Sequence, residues 1–515
     1  MNGARALLST LVDADVDVCF ANPGTSEMHF VAALDDVPAM RGVLCLFEGV
    51  ATGAADGYGR IAGRPAATLL HLGPGLGNGL ANLHNARRAR TPLVNIVGDH
   101  ATYHARYDAP LQSDIASIAG PVSGWYRSTA RADDVAADGA DAVAAALGPP
   151  GCVATLVLPA DASWSEATTG PHPPQPRGRP TLVPADTIDE VAKAMRGGER
   201  AALLLGGKAL RADGLYAASR VATKTGAALL CETFPANLER GAGIPAVERL
   251  AYLAEMAQAQ LDGVRHLVLV DAKSPVSFFA YPGKASDLVA AGCIVHTLAR
   301  PGEDAAAALA ALAEAVGAPG DAGAPAASSR PDRPTGALTT ETLAAAVGAT
   351  FPEGTIVVDE GNTSGLFVSA ATAGAPRHDW LTLTGGAIGI GLPLATGAAV
   401  AAPERPVLCL QADGSAMYTL QALWTQAREG LNVTTVVLAN RSYAILNMEL
   451  HRVGADAGGP LARRLLDLTD PELDFCDLAR GMGVPARRVE NAEDLLAALE
   501  SGFADAGPTL VEVVL

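Results

Sequence analysis

VLCLQADGSAMYTLQALWTQAREGLNVTTVVLANRS, residues 407–442, is the stretch on which the fold turns. An apolar run, VLCLQA, ends at Asp413-Gly414-Ser415, an amphipathic helical pattern follows, and a second apolar run, NVTTVVLA, ends at Asn440. Strand, loop, helix and strand in that order make a βαβ unit with parallel strands. Both strand ends then fall on one edge of a sheet, so Asp413 and Asn440 become neighbours at the edge where open parallel sheets bind ligands.

The same rhythm recurs outward in both directions, in VDVCFANPGT, MRGVLCLFEG, PAATLLHLGPG, PLVNIVGDH, VRHLVLVDAK and GCIVHTLAR. It is interrupted twice by segments rich in Pro, Gly and Ala that cannot sustain a helix or strand, residues 166–182 and 317–336. Three domains are therefore expected, 1–165, 183–316 and 337–515, giving an α/β chain of parallel sheets flanked by helices with a Rossmann-like middle domain. Neither 73–79 nor 385–391 matches a dinucleotide fingerprint followed by a ribose-binding acid, which argues against a nicotinamide enzyme.

Composition excludes more than it assigns. The net charge of -18 speaks against a nucleic acid or an anionic membrane as partner. Seven cysteines stand singly without CxxC spacing, as in a reducing compartment. No long apolar span and no signal segment is present, so a soluble, cytoplasmic protein is expected.

Residues just after each strand are the site candidates: Asn22 to Ser26, Glu48, His71 to Gly75, Gly98 to His100, Gly385 to Gly389, Asp413 to Ser415 and Asn440 to Ser442. Glu48 follows LCLF and opens a small-residue helix, where a buried carboxylate is unfavourable unless something needs it. A helix-start Glu favoured by the dipole is the plainer alternative. Asp413, the Asn440 amide oxygen and one loop carbonyl at Ser442 would satisfy a Mg2+ ion beside a diphosphate held on a helix N-terminus. An Asp N-cap and an Asn turn would look the same.

Ala412-Asp413-Gly414 and Ala439-Asn440 resemble the GDG and NN motif pair of the thiamine-diphosphate-dependent decarboxylase and acetohydroxyacid synthase family, with the first Gly and the first Asn replaced. The resemblance implies that Asp413, Asn440 and Ser442 hold Mg2+, that Gly386, Gly414, Ser415 and Tyr443 contact thiamine diphosphate, and that Ile388 wedges beneath its thiazolium. Glu48 would hydrogen-bond N1' of the pyrimidine. ANPGTSE resembles the corresponding loop of benzoylformate decarboxylase, which implies that Thr25 meets the substrate carboxylate and that His71 relays protons. Weaker substrate contacts are implied for Ser26, His100, Gln112, Ala280 and Leu446, with His104 beside them and Asn447, Met448 and Glu449 on a helix bordering the channel. That enzyme's second histidine is missing, since Phe279-Ala280-Tyr281 stands where it is expected.

The implied activity is non-oxidative decarboxylation of a 2-oxo acid, with release of an aldehyde or carboligation to a second carbonyl. The altered Ala412 and Ala439 leave a degenerate, non-catalytic cofactor-binding subunit as the alternative. FAD is not expected. The resemblance also implies a homodimer or homotetramer in which Glu48 and Asp413 of different chains serve one cofactor.

Overall fold

The computed structural model describes the 515-residue chain apart from residues 321, 322, 324, 456 and 457. Runs of Val, Ile and Leu covered on both faces become strands, as at Val153–Pro159, where all seven residues are buried. The first sheet holds β1 (Val18–Asn22), β2 (Arg41–Leu44), β3 (Ala66–Leu70), β4 (Leu93–Asp99), β5 (Trp125–Ser128) and β6 (Val153–Pro159) in the order β2-β1-β3-β4-β6-β5, all parallel.

Between 201 and 299 lie β7 (Ala201–Leu205), β8 (Ala228–Cys231), β9 (Leu238–Arg240), β10 (Glu248–Arg249), β11 (His266–Val270) and β12 (Ile294–Ala299). Five of them form a parallel sheet in the order β10-β8-β7-β11-β12. The third sheet uses β13 (Ile356–Glu360), β14 (His378–Thr382), β15 (Val407–Ala412), β16 (Val433–Ala439), β17 (Ala486–Val489) and β18 (Thr509–Val514) in the order β17-β18-β16-β15-β13-β14-β9. β9 is the departure from the expected all-parallel sheets: it leaves the middle block and pairs antiparallel with β14. Its three residues have too little pattern to announce a partner in sequence.

Nor are the cores separate. One apolar cluster joins Val50, Ala51 and Ala54 of the helix Glu48–Ala62 to Leu392, Leu394 and Ala395 of the helix Gly391–Ala401, and a second joins the middle sheet to the third. The two helices approach backbone to backbone because both carry glycine at the contact. A β-carbon on Gly57 would overlap the Leu394 carbonyl, and one on Gly397 the Ala54 carbonyl. A buried ion pair, Arg60 with Asp56 at 2.5 Å, extends this seam as Arg60 donates to Thr382 O at 2.7 Å. Among the described residues no helix is long and apolar enough to cross a membrane.

Candidate active site

β15 delivers Asp413 and β16 delivers Asn440 to one sheet edge, with Ala412 opposite Leu438 in the parallel register. Asp413 is 3 % exposed. Its Oδ1 accepts from Gly414 N at 2.7 Å and its Oδ2 from Arg441 N at 2.6 Å, so the loop after β16 is hooked onto the carboxylate. Burial pushes its pKa above the ordinary value, and the backbone N–H groups oppose that rise. Asn440 Oδ1 accepts from Ser442 N at 3.1 Å while its Nδ2 donates to Ser364 Oγ at 3.0 Å. The Tyr443 ring packs on Gly414, and Ser415 Oγ accepts from Asn362 Nδ2 at 3.3 Å. Asn362 and Ser364, on the loop after β13, were not singled out in the sequence.

The continuous helix expected after Asp413-Gly414-Ser415 is instead a single turn, Asp413–Ala416, followed by Ala422–Glu429. The chain breaks between them where Thr419 Oγ1 turns to donate to Gly389 O at 2.8 Å and Tyr418 packs beneath Gly389. That contact is long-range and invisible to helical periodicity. It also ties the loop after β15 to the segment carrying Gly386 and Ile388. Ile388 is half-buried against the shared core, Gly386 has φ 74°, and the Phe278 ring abuts Gly386. Glu360, fully buried at the end of β13, accepts from Gly389 N and Gly391 N at 2.6 Å each and from Gln411 Nε2 at 3.0 Å.

Glu48 is the first residue of the helix Glu48–Ala62 and is 7 % exposed. Its Oε2 accepts from Asn78 Nδ2 at 3.0 Å, a partner overlooked in GPGLGNG. His71 caps the helix Leu72–Ala89, with Nδ1 at 2.8 Å from Glu27 Oε2 and 3.3 Å from Ser26 Oγ. Thr25 is exposed, and the loop's polar contacts are made by Ser26 and Glu27, the latter read in sequence only as a helix-start residue. His100 Nε2 and Gln112 Oε1 are buried without a hydrogen-bond partner among the described residues, and the His100 and His104 rings lie 5.2 Å apart. Two such orphaned polar atoms suit a ligand that supplies the missing partners.

Ala280 and Leu446, both exposed, lie on segments that the structure joins. Tyr281 stacks on Arg452 at 4.7 Å, and Arg452 pairs with Glu255 at 3.0 Å, tying the 276–281 loop to the helix Ala444–Arg452 that carries Asn447, Met448 and Glu449. Phe278 stacks with Phe234, Tyr252 and Phe279 at 5.5, 5.2 and 5.3 Å, so the wall facing Gly386 is aromatic.

The buried carboxylates divide into two groups. Asp56, Asp138, Glu239, Asp271, Asp379 and Glu512 each pair with an arginine. Glu27, Glu48, Glu360 and Asp413 have no arginine or lysine partner among the described residues and are held by neutral donors or by His71. All four stand beside the strand ends marked as site candidates. A buried carboxylate left without a fixed cation is available to a metal ion or protonatable group that a ligand brings.

Residues 1–119 match the thiamine pyrophosphate enzyme N-terminal TPP binding domain, and residues 359–513 the C-terminal TPP binding domain. The chain is 64% identical to the Mycobacterium tuberculosis protein named "Putative acetolactate synthase large subunit IlvX", over 100% of this chain and 99% of that one. It is 30% identical to benzoylformate decarboxylase of Pseudomonas aeruginosa over 96% of this chain and 95% of that one. Among solved structures, a thiamine diphosphate-dependent 4-hydroxybenzoylformate decarboxylase of Rhodococcus jostii superposes with a TM-score of 0.86 at 25% identity, covering 99% of this chain and 98% of that one. With both cofactor-binding domains matched and a relative alike along the whole length, the chain belongs to the thiamine pyrophosphate enzyme family, on the branch that holds acetolactate synthase and benzoylformate decarboxylase.

Proposed function

We propose that the protein is a Mg2+-dependent thiamine diphosphate enzyme that decarboxylates a 2-oxo acid without oxidation, releasing an aldehyde or joining the acyl unit to a second carbonyl compound. The observation that carries this reading is the set of buried carboxylates without arginine or lysine partners, two of which, Glu48 and Asp413, are the residues that the family resemblance assigns to the pyrimidine and diphosphate ends of the site. When bound, the cofactor supplies the electron sink for breaking the carbon–carbon bond. Glu48 offers its carboxylate to the pyrimidine N1', with Asn78 orienting it. Asp413, the Asn440 side-chain oxygen and the Ser442 carbonyl suit a hard cation, and Gly414, Ser415 and Tyr443 line the diphosphate loop. Gly386 and Ile388 belong to the cradle beneath the thiazolium. His71 moves a proton at the reacting carbon, while Thr25, Ser26, His100, Gln112, Ala280 and Leu446 line the substrate side.

The aromatic wall of Phe278 and Phe279 favours a 2-oxo acid with an apolar, ring-sized substituent. Likeness to a protein named as an acetolactate synthase favours carboligation as the second reading. The degenerate-subunit alternative loses its motive, because Ala412 has ordinary extended backbone, φ -71° and ψ 144°, and Ala439 sits in regular register opposite Val514. Neither position requires the residue it lacks.

The exposure of Leu46, Leu366, Phe367 and Tyr418 beside the two half-sites supports a dimer or tetramer whose sites lie between subunits. A flavin is not part of this reading. Arg90 pairs with Asp271 at the middle sheet's crevice, and Glu239 accepts from Ala212 N at 3.0 Å, occupying the helix end a dinucleotide would use. The test is to incubate metal-stripped protein with thiamine diphosphate, Mg2+ and a panel of 2-oxo acids. Carbon dioxide release is expected, and product mass separates aldehyde from acyloin. No release with any acid would sink the proposal.

A further inference from the structure

We propose that Glu27 is the positioning residue for His71: it fixes the proton on Nδ1 and leaves Nε2 as the nitrogen offered to substrate. The catalytic consequence rests on the decarboxylase reading, whereas the tautomer itself does not.

The Glu27 side chain is 1% exposed and lies in a slot made by glycines. A β-carbon on Gly98 would overlap its carboxylate, and one on Gly24 would overlap the His71 ring. Three donors converge on the two oxygens. Gly24 N donates to Oε2 at 2.7 Å, the Ser26 hydroxyl donates to Oε1, and His71 Nδ1 lies 2.8 Å from Oε2. An ionised carboxylate only accepts, so the imidazole must donate from Nδ1, and the neutral ring then carries its lone pair on Nε2.

That second nitrogen makes no hydrogen bond among the described residues, and the His71 side chain keeps 23% exposure. A β-carbon placed on Gly75 would lie 3.2 Å from Glu48 Oε1 and 3.4 Å from His71 Cβ, so both residues flank one glycine. Glu27 therefore orients a proton carrier standing beside the carboxylate assigned to the cofactor, and its charge stabilises the imidazolium when Nε2 takes up a proton.

Substituting Glu27 separates these two effects. In Glu27→Gln the amide oxygen must occupy the Oε2 position, because two N–H groups point there; the tautomer is retained and only the charge is lost. Glu27→Ala removes both. The experiment is magic-angle-spinning 15N NMR of 15N-histidine-labelled holoenzyme, with the His71 signal assigned by its loss in His71→Gln, together with pH–rate profiles and deuterium exchange at the cofactor C2.

Nδ1 protonation is expected in the native protein. In Glu27→Gln the Nδ1 tautomer should persist while the acid limb of the kcat profile moves to lower pH, because the charge that favours a proton on Nε2 is lost. In Glu27→Ala, mixed tautomers and a kcat loss of about 100-fold are expected. C2 exchange should stay within about twofold of the native rate in both variants, because Glu48 governs that step. A native His71 protonated at Nε2, or a Glu27→Gln variant whose acid limb does not move, overturns the proposal. So does C2 exchange falling in parallel with kcat, which marks a structural role. If the native protein decarboxylates no 2-oxo acid, the functional reading fails while the NMR arm still decides the tautomer.

Discussion

Glu360→Gln is the substitution that most directly tests how the loop of Gly386 and Ile388, proposed to cradle the cofactor, is held. Both Glu360 oxygens accept, Oε1 from Gly389 N and Oε2 from Gly391 N and Gln411 Nε2. A glutamine presents one oxygen and one NH2, so either orientation points an N–H at an N–H. The favoured orientation keeps the two bonds at the Oε2 position and abandons Gly389 N, next to Ile388. Losing a charge-assisted hydrogen bond and stranding a buried donor together amount to roughly 2 to 4 kcal/mol. Part of that is offset because a neutral amide avoids the burial that pushes the Glu360 pKa upward. A net weakening of about 2 kcal/mol divides the ratio of ordered to displaced loop by roughly thirty, and apparent cofactor affinity falls by up to that factor. Titrating apo-protein with thiamine diphosphate at saturating Mg2+, followed by tryptophan fluorescence, measures it. A dissociation constant equal to that of the native protein, in a variant with native circular dichroism, would refute the idea that Glu360 holds the wedge loop.

Two further outcomes are expected. If Glu48 and Asp413 of different subunits serve one cofactor, Glu48→Gln and Asp413→Ala chains, each inactive alone, regain activity when co-expressed, because the mixed dimer contains one intact site; absence of any recovery in isolated mixed dimers would place both residues in one chain's site. Glu232, pushed up to about 7 by burial, contributes stability that is full below its unfolded pKa of 4.5 and is lost as pH rises through about 7. Glu232→Gln escapes that loss, so its stability relative to the native chain should rise by about 2 to 3 kcal/mol between pH 5 and pH 8, and equal urea midpoint differences at the two pH values would contradict it.

What the sequence made legible was the set of strand ends. Apolar runs closed by Asp413, Asn440, Glu48 and His71 mark the edge of a parallel sheet by local pattern alone: Asp413, Asn440 and His71 follow directly on β15, β16 and β3, and Glu48 opens the helix after β2. Missing from that reading were features created by contact between distant segments. β9 crosses to the third sheet, Thr419 breaks a helix to reach Gly389, and Glu360 binds backbone 29 and 31 residues away. Glu27 was hidden differently: a Glu two residues after Thr25 satisfies the helix-start rule by itself, so nothing local asks for His71, 44 residues on.

A charge criterion separates the two kinds of buried acid more sharply than position does. Asp56 beside Arg60, or Asp379 beside Arg211 and Arg405, is neutralised within the fold, and removing either partner strands a charge in the core. Glu27, Glu48, Glu360 and Asp413 are held instead by backbone N–H groups, an asparagine, a glutamine, a serine or an imidazole, none of which carries the fixed positive charge of an arginine. A bound cofactor with a divalent cation at one end and a protonatable ring at the other compensates two of them, Asp413 and Glu48. The stability of this protein should therefore depend on Mg2+ and cofactor together more steeply than on either alone.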